Sequence, residues 1–445
     1  MKSTLLRNCQ IVNRGTTTSG DILIQNGRIT QIGAVSMPSG GVMEYDAGGR
    51  VAIPGLIDDQ VHFREPGLTH KGTIATESRA ALAGGITSYL EMPNTNPQTT
   101  TMEAWQAKMD VAARDSWANY GFMFGGTNDN LETIKALDTT QIPALKLFLG
   151  SSTGNMLVDD ELVLRSIFST TPLRIAAHCE DEATIKANLQ RAIAQYGDDI
   201  PIGQHPIIRS HEACYISSSR AIRLARETGA RLHVFHLSTG KETELLDKGG
   251  DLRTKQITSE VCVHHLWFQQ EDYELKGTHI KWNPAVKMAS DRDQLWKALL
   301  DDRIDVLATD HAPHTLDEKK NPYTSAPSGG PLVQHALIAL LEKVADGTIS
   351  LERLVEKACH NPAILFDMKD RGYLEEGMHA DIVLIDQNKP WTVAPDNIEY
   401  KCGWSPFEGT QFNNQVHRTY VNGQLAYDQG TFLEKPSAQA ITYDR

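Results

Sequence analysis

Eight apolar runs in the chain each end in polar residues, and most of these ends carry a side chain that can bind a metal ion. Short apolar runs bounded by turn residues are typical of buried strands. Eight strands with polar groups at their C-terminal ends predict an α/β fold of the (β/α)8 TIM-barrel type, with one shared site there. The predicted strands are 55–63, 87–93, 120–127, 144–150, 173–179, 231–238, 254–262 and 306–311.

Amphipathic helical segments separate these strands, whereas both ends of the chain read as short strands with turns. Asn26-Gly27 and Asn422-Gly423 are hairpin signals. We therefore predict a TIM barrel over 53–360 and a small β-sandwich domain formed by 1–52 together with 361–445. The gap from Cys179 to Arg231 exceeds one helix, which predicts an extra loop over the barrel mouth.

Composition and charge narrow the possible partners. The 445 residues are 40% hydrophobic and 22% charged, which is ordinary for a globular protein. A formal net charge of −13 disfavours nucleic acid and anionic membranes, because both bind clustered Lys and Arg. Six cysteines without a CxxC pair, and no signal-like N-terminus, predict free thiols and a cytoplasmic location. A small anionic substrate remains compatible, since a few local arginines can outweigh a diffuse charge.

The first predicted strand carries a polar series. Residues two apart in a strand point to the same side, so Gln60, His62 and Arg64 can all face the site. Only His62 is a good metal ligand among them. A lone His beside an Arg fits a structural role equally well.

Lys146 lies inside the apolar run 144–149, where a bare ammonium is costly to bury. One solution is a salt bridge with a nearby carboxylate. The other is reaction with carbon dioxide to a carbamate, which is a two-oxygen anion able to bridge two cations.

His178, His236 and Asp310 each end a predicted strand, where imidazole and carboxylate groups are well placed to bind zinc. Zinc lowers the pKa of bound water to ~7, and an adjacent carboxylate can move its proton to a leaving nitrogen. Asp310 could instead cap a helix, but that would not explain the neighbouring histidines. Together with His62, these residues favour a metal-dependent hydrolase.

The chain resembles the cyclic-amide branch of the amidohydrolase superfamily, and within it the dihydroorotases, over essentially all 445 residues. The resemblance implies zinc, one or two ions per chain, held by His62, Lys146 (as a carbamate), His178, His236 and Asp310. It also implies that Arg64, Asn94 and His314 hold a substrate carboxylate, that Asn283 faces the substrate, and that Asp310 is catalytic. The motifs that carry it are 54–58, 62–67, 92–95, 177–181, 261–265, 283–284, 308–314, 361–363 and 380–383.

The resemblance implies hydrolysis of L-dihydroorotate to N-carbamoyl-L-aspartate in pyrimidine synthesis, reversibly, by a dimer or tetramer. Gln60 departs from the family pattern, because it stands where the family has the first His of a His-x-His pair. The first metal site could be weakened, the enzyme could use one metal, or activity could be lost. Two alternatives therefore stay open: a hydantoinase-like or allantoinase-like hydrolase, and a silent homologue that supports a partner such as aspartate transcarbamoylase.

Overall fold

The computed structural model describes residues 3–36, 41–150 and 156–445. Its strands are β1 (Ser3–Asn13), β2 (Thr16–Gln25), β3 (Arg28–Gly33), β4 (Val42–Asp46), β5 (Val51–Pro54), β6 (Leu56–Val61), β7 (Ile86–Glu91), β8 (Asn119–Phe122), β9 (Phe124–Gly125), β10 (Leu145–Phe148), β11 (Ile175–His178), β12 (Leu232–Val234), β13 (Ile257–Cys262), β14 (Val306–Ala308), β15 (Ile382–Asp386), β16 (Trp391–Thr392), β17 (Gln411–Phe412), β18 (Gln415–Val421), β19 (Gln424–Asp428) and β20 (Thr431–Phe432).

The α-helices lie mainly between the barrel strands. They are α1 (Ile74–Ala83), α2 (Met102–Asp115), α3 (Leu131–Lys135), α4 (Glu161–Thr170), α5 (Glu182–Tyr196), α6 (His205–Ile208), α7 (His211–Thr228), α8 (Val263–Trp267), α9 (Tyr273–Lys276), α10 (Ala289–Leu300), α11 (Leu316–Lys319), α12 (Ala336–Ala345), α13 (Leu351–Val355) and α14 (Asn361–Leu365). Short 3-10 turns lie at 202–204, 241–245, 270–272, 277–280 and 395–397, and a π-helical turn joins α13 to α14. Among the described residues, no helix is long and apolar enough to cross a membrane.

The barrel is closed by parallel pairing all the way round. One sheet has the order β6-β7-β8 and another the order β14-β13-β12-β11-β10-β9, and β8 and β9 form one strand position interrupted at Met123. The ring closes where the backbone N–H of His62 donates to the carbonyl of His311 at 2.7 Å. Eight strand positions result, so the predicted (β/α)8 barrel is confirmed.

The barrel strands are apolar because both of their faces are covered. Every residue of β7 and β10 is buried, as expected for parallel strands with side chains filling the interior and helices packed outside. The polar residues in such strands therefore stand out, and two of them, Lys146 on β10 and His178 on β11, line a cavity at the strand ends.

The two ends of the chain meet in one sheet with the order β20-β19-β18-β15-β5-β1-β2-β3, and β4 pairs with β1. β5 lies antiparallel to β15, with Ile53 opposite Val383. The predicted hairpin turns lie between β2 and β3 and between β18 and β19, where Asn26 and Asn422 have φ of 52° and 47°. A β-domain built from both termini is therefore present, while its exact limits stay a prediction.

The gap predicted to hold a loop over the barrel mouth is largely helical, since α5, α6 and α7 fill most of it. The segment 197–210 between α5 and α7 brings His205 to the carbonyl of Trp282, at 2.6 Å from its Nε2. Arg209 ends the same segment and pairs with Glu180.

Candidate active site

A cavity of about 650 Å³ opens at the C-terminal ends of the barrel strands. All nine residues predicted for the site line this cavity, together with Gln60. The nine are His62, Arg64, Asn94, Lys146, His178, His236, Asn283, Asp310 and His314.

Two backbone positions aim side chains into the cavity from the strand ends. His236 and Asp310 both have positive φ, at 37° and 48°, which non-glycine residues seldom adopt. Such strain concentrates at functional sites, where the surrounding structure holds it in place. Arg64, just after β6, has φ of 72° and also faces the cavity.

His62 and Asp310 form one pair on the wall of the cavity. His62 Nε2 lies 3.2 Å from Asp310 Oδ1, and His62 Nδ1 lies 2.7 Å from the amide oxygen of Asn94. If Nδ1 carries the proton and donates to Asn94, Nε2 is unprotonated and its lone pair is directed toward Asp310. Burial lowers the pKa of His62, which favours this neutral, ligand-competent form.

His178 and His236 form a second pair, with His178 Nδ1 2.9 Å from His236 Nε2. His178 Nε2 lies 2.9 Å from Glu180, which also pairs with Arg209. In metal sites, a carboxylate that accepts from one nitrogen of a histidine fixes the ring orientation and leaves the other nitrogen to bind the metal. Burial lowers the pKa of both imidazoles.

Lys146 is a buried amine on the same cavity lining. Its Nζ is buried and has no hydrogen-bond partner in the described structure, and it lies 3.9 Å from the centroid of the Phe235 ring. Burial lowers the pKa of Lys146 to about 7, so a substantial share of the amine is neutral near pH 7. A neutral amine is the form that reacts with carbon dioxide.

The donor set fits a metal ion bound with a carbamate. The orphaned amine of Lys146, two converging imidazoles and the His62–Asp310 pair surround one part of the cavity, and histidine nitrogens with carboxylate oxygens suit zinc. We call this set the ligand wall: His62, Lys146, His178, His236 and Asp310.

Gln60 lines the same cavity, so the departure from the family pattern lies at the site itself. Its amide oxygen lies 3.7 Å from the thiol of Cys262 on β13. An amide oxygen is a weaker zinc ligand than imidazole, so Gln60 would bind a metal ion less well than a histidine at the same position.

A second group of ligand atoms, which sequence reasoning did not select, lies deeper in the barrel. Among the described residues, one group of three His, Cys, Asp or Glu side chains brings its ligand atoms within 4.8 Å of one another, and it consists of Asp59, His233 and Glu260. His233 Nε2 lies 3.4 Å from each carboxylate. Burial raises the pKa of Asp59 to about 7 and that of Glu260 well above its usual value, so this trio holds protons that a pair of exposed carboxylates would release.

Another part of the cavity lining is basic. Arg64 Nε donates to the carbonyl of Pro313 at 3.0 Å, and Arg64 Nη2 lies 3.0 Å from His314 Nε2. Lys71 Nζ lies 3.0 Å from His314 Nδ1. We call Arg64, Lys71 and His314 the anchor wall. Lys71 lies in a loop, where a lysine is usually solvated, so no sequence signal distinguished it.

Comparison with known proteins shows to which family the chain belongs. The sequence profile of the amidohydrolase family matches residues 51–426. The chain belongs to the amidohydrolase family.

Within this family the chain is similar to a dihydroorotase of Halobacterium salinarum, 34% identical over 421 residues that cover 92% of this chain and 96% of the relative. It is also similar to an allantoinase of Solibacter usitatus, 31% identical and covering 99% of this amidohydrolase and 97% of the relative. Among solved structures, the L-hydantoinase (dihydropyrimidinase) of Arthrobacter aurescens matches with a TM-score of 0.92, 27% identity and coverage of 99% and 100%.

Proposed function

We propose that this amidohydrolase is a dihydroorotase that interconverts L-dihydroorotate and N-carbamoyl-L-aspartate. The observation that carries the proposal is that the anchor wall and the ligand wall line the same cavity. Dihydroorotate carries a carboxylate on its ring, whereas hydantoin and dihydropyrimidine rings do not. A buried arginine beside a histidine is suited to that carboxylate.

Zinc is the metal that we propose for the ligand wall, with Lys146 carboxylated on its Nζ. His62, Lys146, His178, His236 and Asp310 would hold one or two ions. A bound zinc ion supplies hydroxide at neutral pH and polarises the ring carbonyl. The orphaned Lys146 amine supports this assignment, because conversion to a carbamate would remove the buried cation and would supply two ligand oxygens.

Asp310 is the residue that we assign to proton transfer. Its carboxylate would take the proton of the attacking water and deliver it to the ring nitrogen as the amide bond breaks. The short distance from Asp310 Oδ1 to His62 Nε2 and the strained backbone at Asp310 support a fixed position for this carboxylate.

Arg64, Asn94, Asn283 and His314 are the substrate-binding residues that we propose. Asn94 gives its amide oxygen to His62, which leaves its NH2 group free to donate to a carboxylate. The amide oxygen of Asn283 is buried without a partner in the described structure, as expected for a group that meets a ring N–H. A cytoplasmic location, assembly as a dimer or tetramer and pairing with an aspartate transcarbamoylase stay predictions from the sequence.

A hydantoinase-like or allantoinase-like hydrolase is the second candidate, and the similarity to the two relatives with those names favours it. Parallel turnover of L-dihydroorotate and unsubstituted hydantoin by the purified protein, supplied with zinc and bicarbonate, separates the two. We expect turnover of dihydroorotate and little of hydantoin. Preference for hydantoin would overturn the proposal.

A silent homologue is the third candidate, and Gln60 favours it. It predicts that folded protein binds little zinc and turns over neither ring. One or two zinc ions per chain together with turnover of dihydroorotate would exclude it.

A further inference from the structure

The anchor wall contains a cation, Lys71, to which neither the sequence nor the family resemblance gave a role. Its side chain is largely buried, and its Nζ lies 3.0 Å from His314 Nδ1 and 3.1 Å from Glu318 Oε1. Lys71 and Arg64 therefore contact opposite nitrogens of the same imidazole. This arrangement constrains which nitrogen of His314 carries the proton.

His314 is a neutral imidazole in this environment. Burial, and next the charge of Arg64, lower its pKa well below the usual value. A neutral imidazole has one N–H donor and one lone pair, so its two nitrogens play different roles. Its neighbours decide which nitrogen donates.

The tautomer with the proton on Nε2 satisfies two of the three close contacts. Nδ1 then accepts from the ammonium of Lys71, and Nε2–H donates to the carbonyl of Ser328 at 3.1 Å. The remaining contact is with Arg64 Nη2, 3.0 Å from Nε2, where two donors meet. A carboxylate oxygen placed between these two donors would accept a hydrogen bond from each of them.

The tautomer with the proton on Nδ1 satisfies only one contact. Nε2 then accepts from Arg64. The Nδ1–H donor, however, meets the Lys71 ammonium, which is also a donor. The Nε2 lone pair meets the Ser328 carbonyl, which is also an acceptor. The Glu318 carboxylate does not rescue it, since its Oε2 lies 3.6 Å from Nδ1. Without Lys71, each tautomer would have one mismatched contact, so Lys71 decides the balance.

We propose that Lys71 is a positioning residue that holds His314 as its Nε2–H tautomer, so that the Nε2–H, which meets the Ser328 carbonyl in this structure, can donate instead to the substrate carboxylate beside Arg64. The substrate part of this inference rests on the proposed dihydroorotase function. Glu318 keeps Lys71 in place, and this ion pair opposes the lowering of the Lys71 pKa by burial. Lys71 therefore stays a donor and cannot accept from the imidazole.

The tautomer is measured directly, without substrate, by 15N NMR of protein labelled on its histidine rings. The His314 signals are those lost in His314→Gln, and protonated and bare ring nitrogens have well-separated shifts. We expect a protonated Nε2 in the unaltered protein, a mixture of tautomers in Lys71→Met, and the original form in Lys71→Arg. Lys320→Met is the matched control, because Lys320 is exposed just after α11 and pairs with Asp317 rather than His314.

An Nδ1–H form in the unaltered protein, or unchanged His314 shifts in Lys71→Met, would overturn the proposal. Should Lys71→Met fail to fold, Lys71→Gln takes its place. An amide can donate or accept, so Lys71→Gln also permits both tautomers.

Kinetics test the consequence for the substrate. Lys71→Met should raise KM for L-dihydroorotate about tenfold, with a smaller change in kcat, as expected for a weakened hydrogen bond to a charged group. In a His314→Ala background, Lys71→Met should have no further effect, because Lys71 acts through His314. Equal effects in both backgrounds would show that Lys71 does not act through His314.

Failure of the proposed function is distinguishable from failure of this inference. Unaltered protein that does not hydrolyse dihydroorotate would contradict the function, whereas the NMR comparison decides the effect of Lys71 on His314 without any turnover.

Discussion

On the anchor wall, each side chain has a partner from the chain itself, whereas the ligand wall contains a buried amine without one. Arg64 donates to Pro313, Lys71 pairs with Glu318, and His314 bonds Ser328. Lys146 Nζ lies beside the faces of Phe148 and Phe235 and has no hydrogen-bond partner among the described residues. The anchor wall is therefore organised before any ligand binds, while we propose that a bound group completes the ligand wall.

The largest effect is expected on the ligand wall, at Asp310. Asp310→Asn keeps the size of the side chain but removes the proton acceptor, so kcat should fall by about 10²–10⁴-fold. Zinc content should stay close to that of the unaltered protein, because four other ligands remain. Near-native kcat would show that Asp310 does not carry the proton.

Lys146→Met should impair zinc binding and turnover when metal is supplied, but it should raise the stability of the metal-free protein. With zinc and bicarbonate, the variant should lose bound zinc and turnover. Without metal it should be more stable at pH 6, by about 1–3 kcal/mol, because an unpaired buried ammonium is replaced by an apolar side chain. Unfolding in urea, with and without zinc, measures both effects.

The same variant gives a pH dependence with a definite sign. Burial lowers the pKa of Lys146 to about 7 from its ordinary 10.5, so the unfolded chain holds more protons between these values. The metal-free, unaltered protein should gain stability from this residue as the pH rises from 7 to 10, and the advantage of Lys146→Met should shrink. An advantage that stays constant from pH 6 to pH 10 would contradict the assigned environment of Lys146.

Arg64→Met tests the anchor wall alone. It should raise KM for L-dihydroorotate about 10- to 100-fold, as expected for the loss of a charge-assisted contact, and leave zinc content unchanged. Any hydantoin turnover should change little. Equal losses on both rings would show that Arg64 does not act through a carboxylate.

Gln60→His is expected to have the smallest effect, and it tests whether residue 60 belongs to the ligand wall. Partners outside the first ligand sphere are already worth about 10–100-fold in metal affinity, so an added imidazole should tighten zinc binding at least about tenfold. Zinc titration of both proteins measures the gain, and Gln60→Asn serves as the control that keeps an amide. Unchanged affinity would place Gln60 outside the metal site.

The fold could be predicted from the sequence because barrel strands are buried on both faces and therefore appear as separate apolar runs. The strand-end residues could be predicted for a related reason. A histidine or lysine such as His178 or Lys146 in an apolar run needs a specific partner there, and a metal or a substrate is one such partner. The structure places these residues in one cavity, and their roles stay predictions.

The parts that were missed depend on contacts between distant elements or on a local irregularity. Lys71 and Arg209 reach His314 and Glu180 from loops, and nothing in their neighbourhoods along the chain indicates these partners. Asp59 was missed because the pairing of β6 with β7 shifts register between Asp58 and Val61. Strict alternation would send Asp59 away from Gln60, and a strand irregularity is invisible to a period-two pattern.

The most direct test of the difference between the two walls is zinc binding by metal-free protein, titrated with and without bicarbonate, followed by turnover of L-dihydroorotate. We predict one or two zinc ions per chain, tighter binding when bicarbonate is present, and turnover that returns with the metal. Folded protein that takes up no zinc under either condition would contradict the conclusion that the ligand wall is completed by a bound metal.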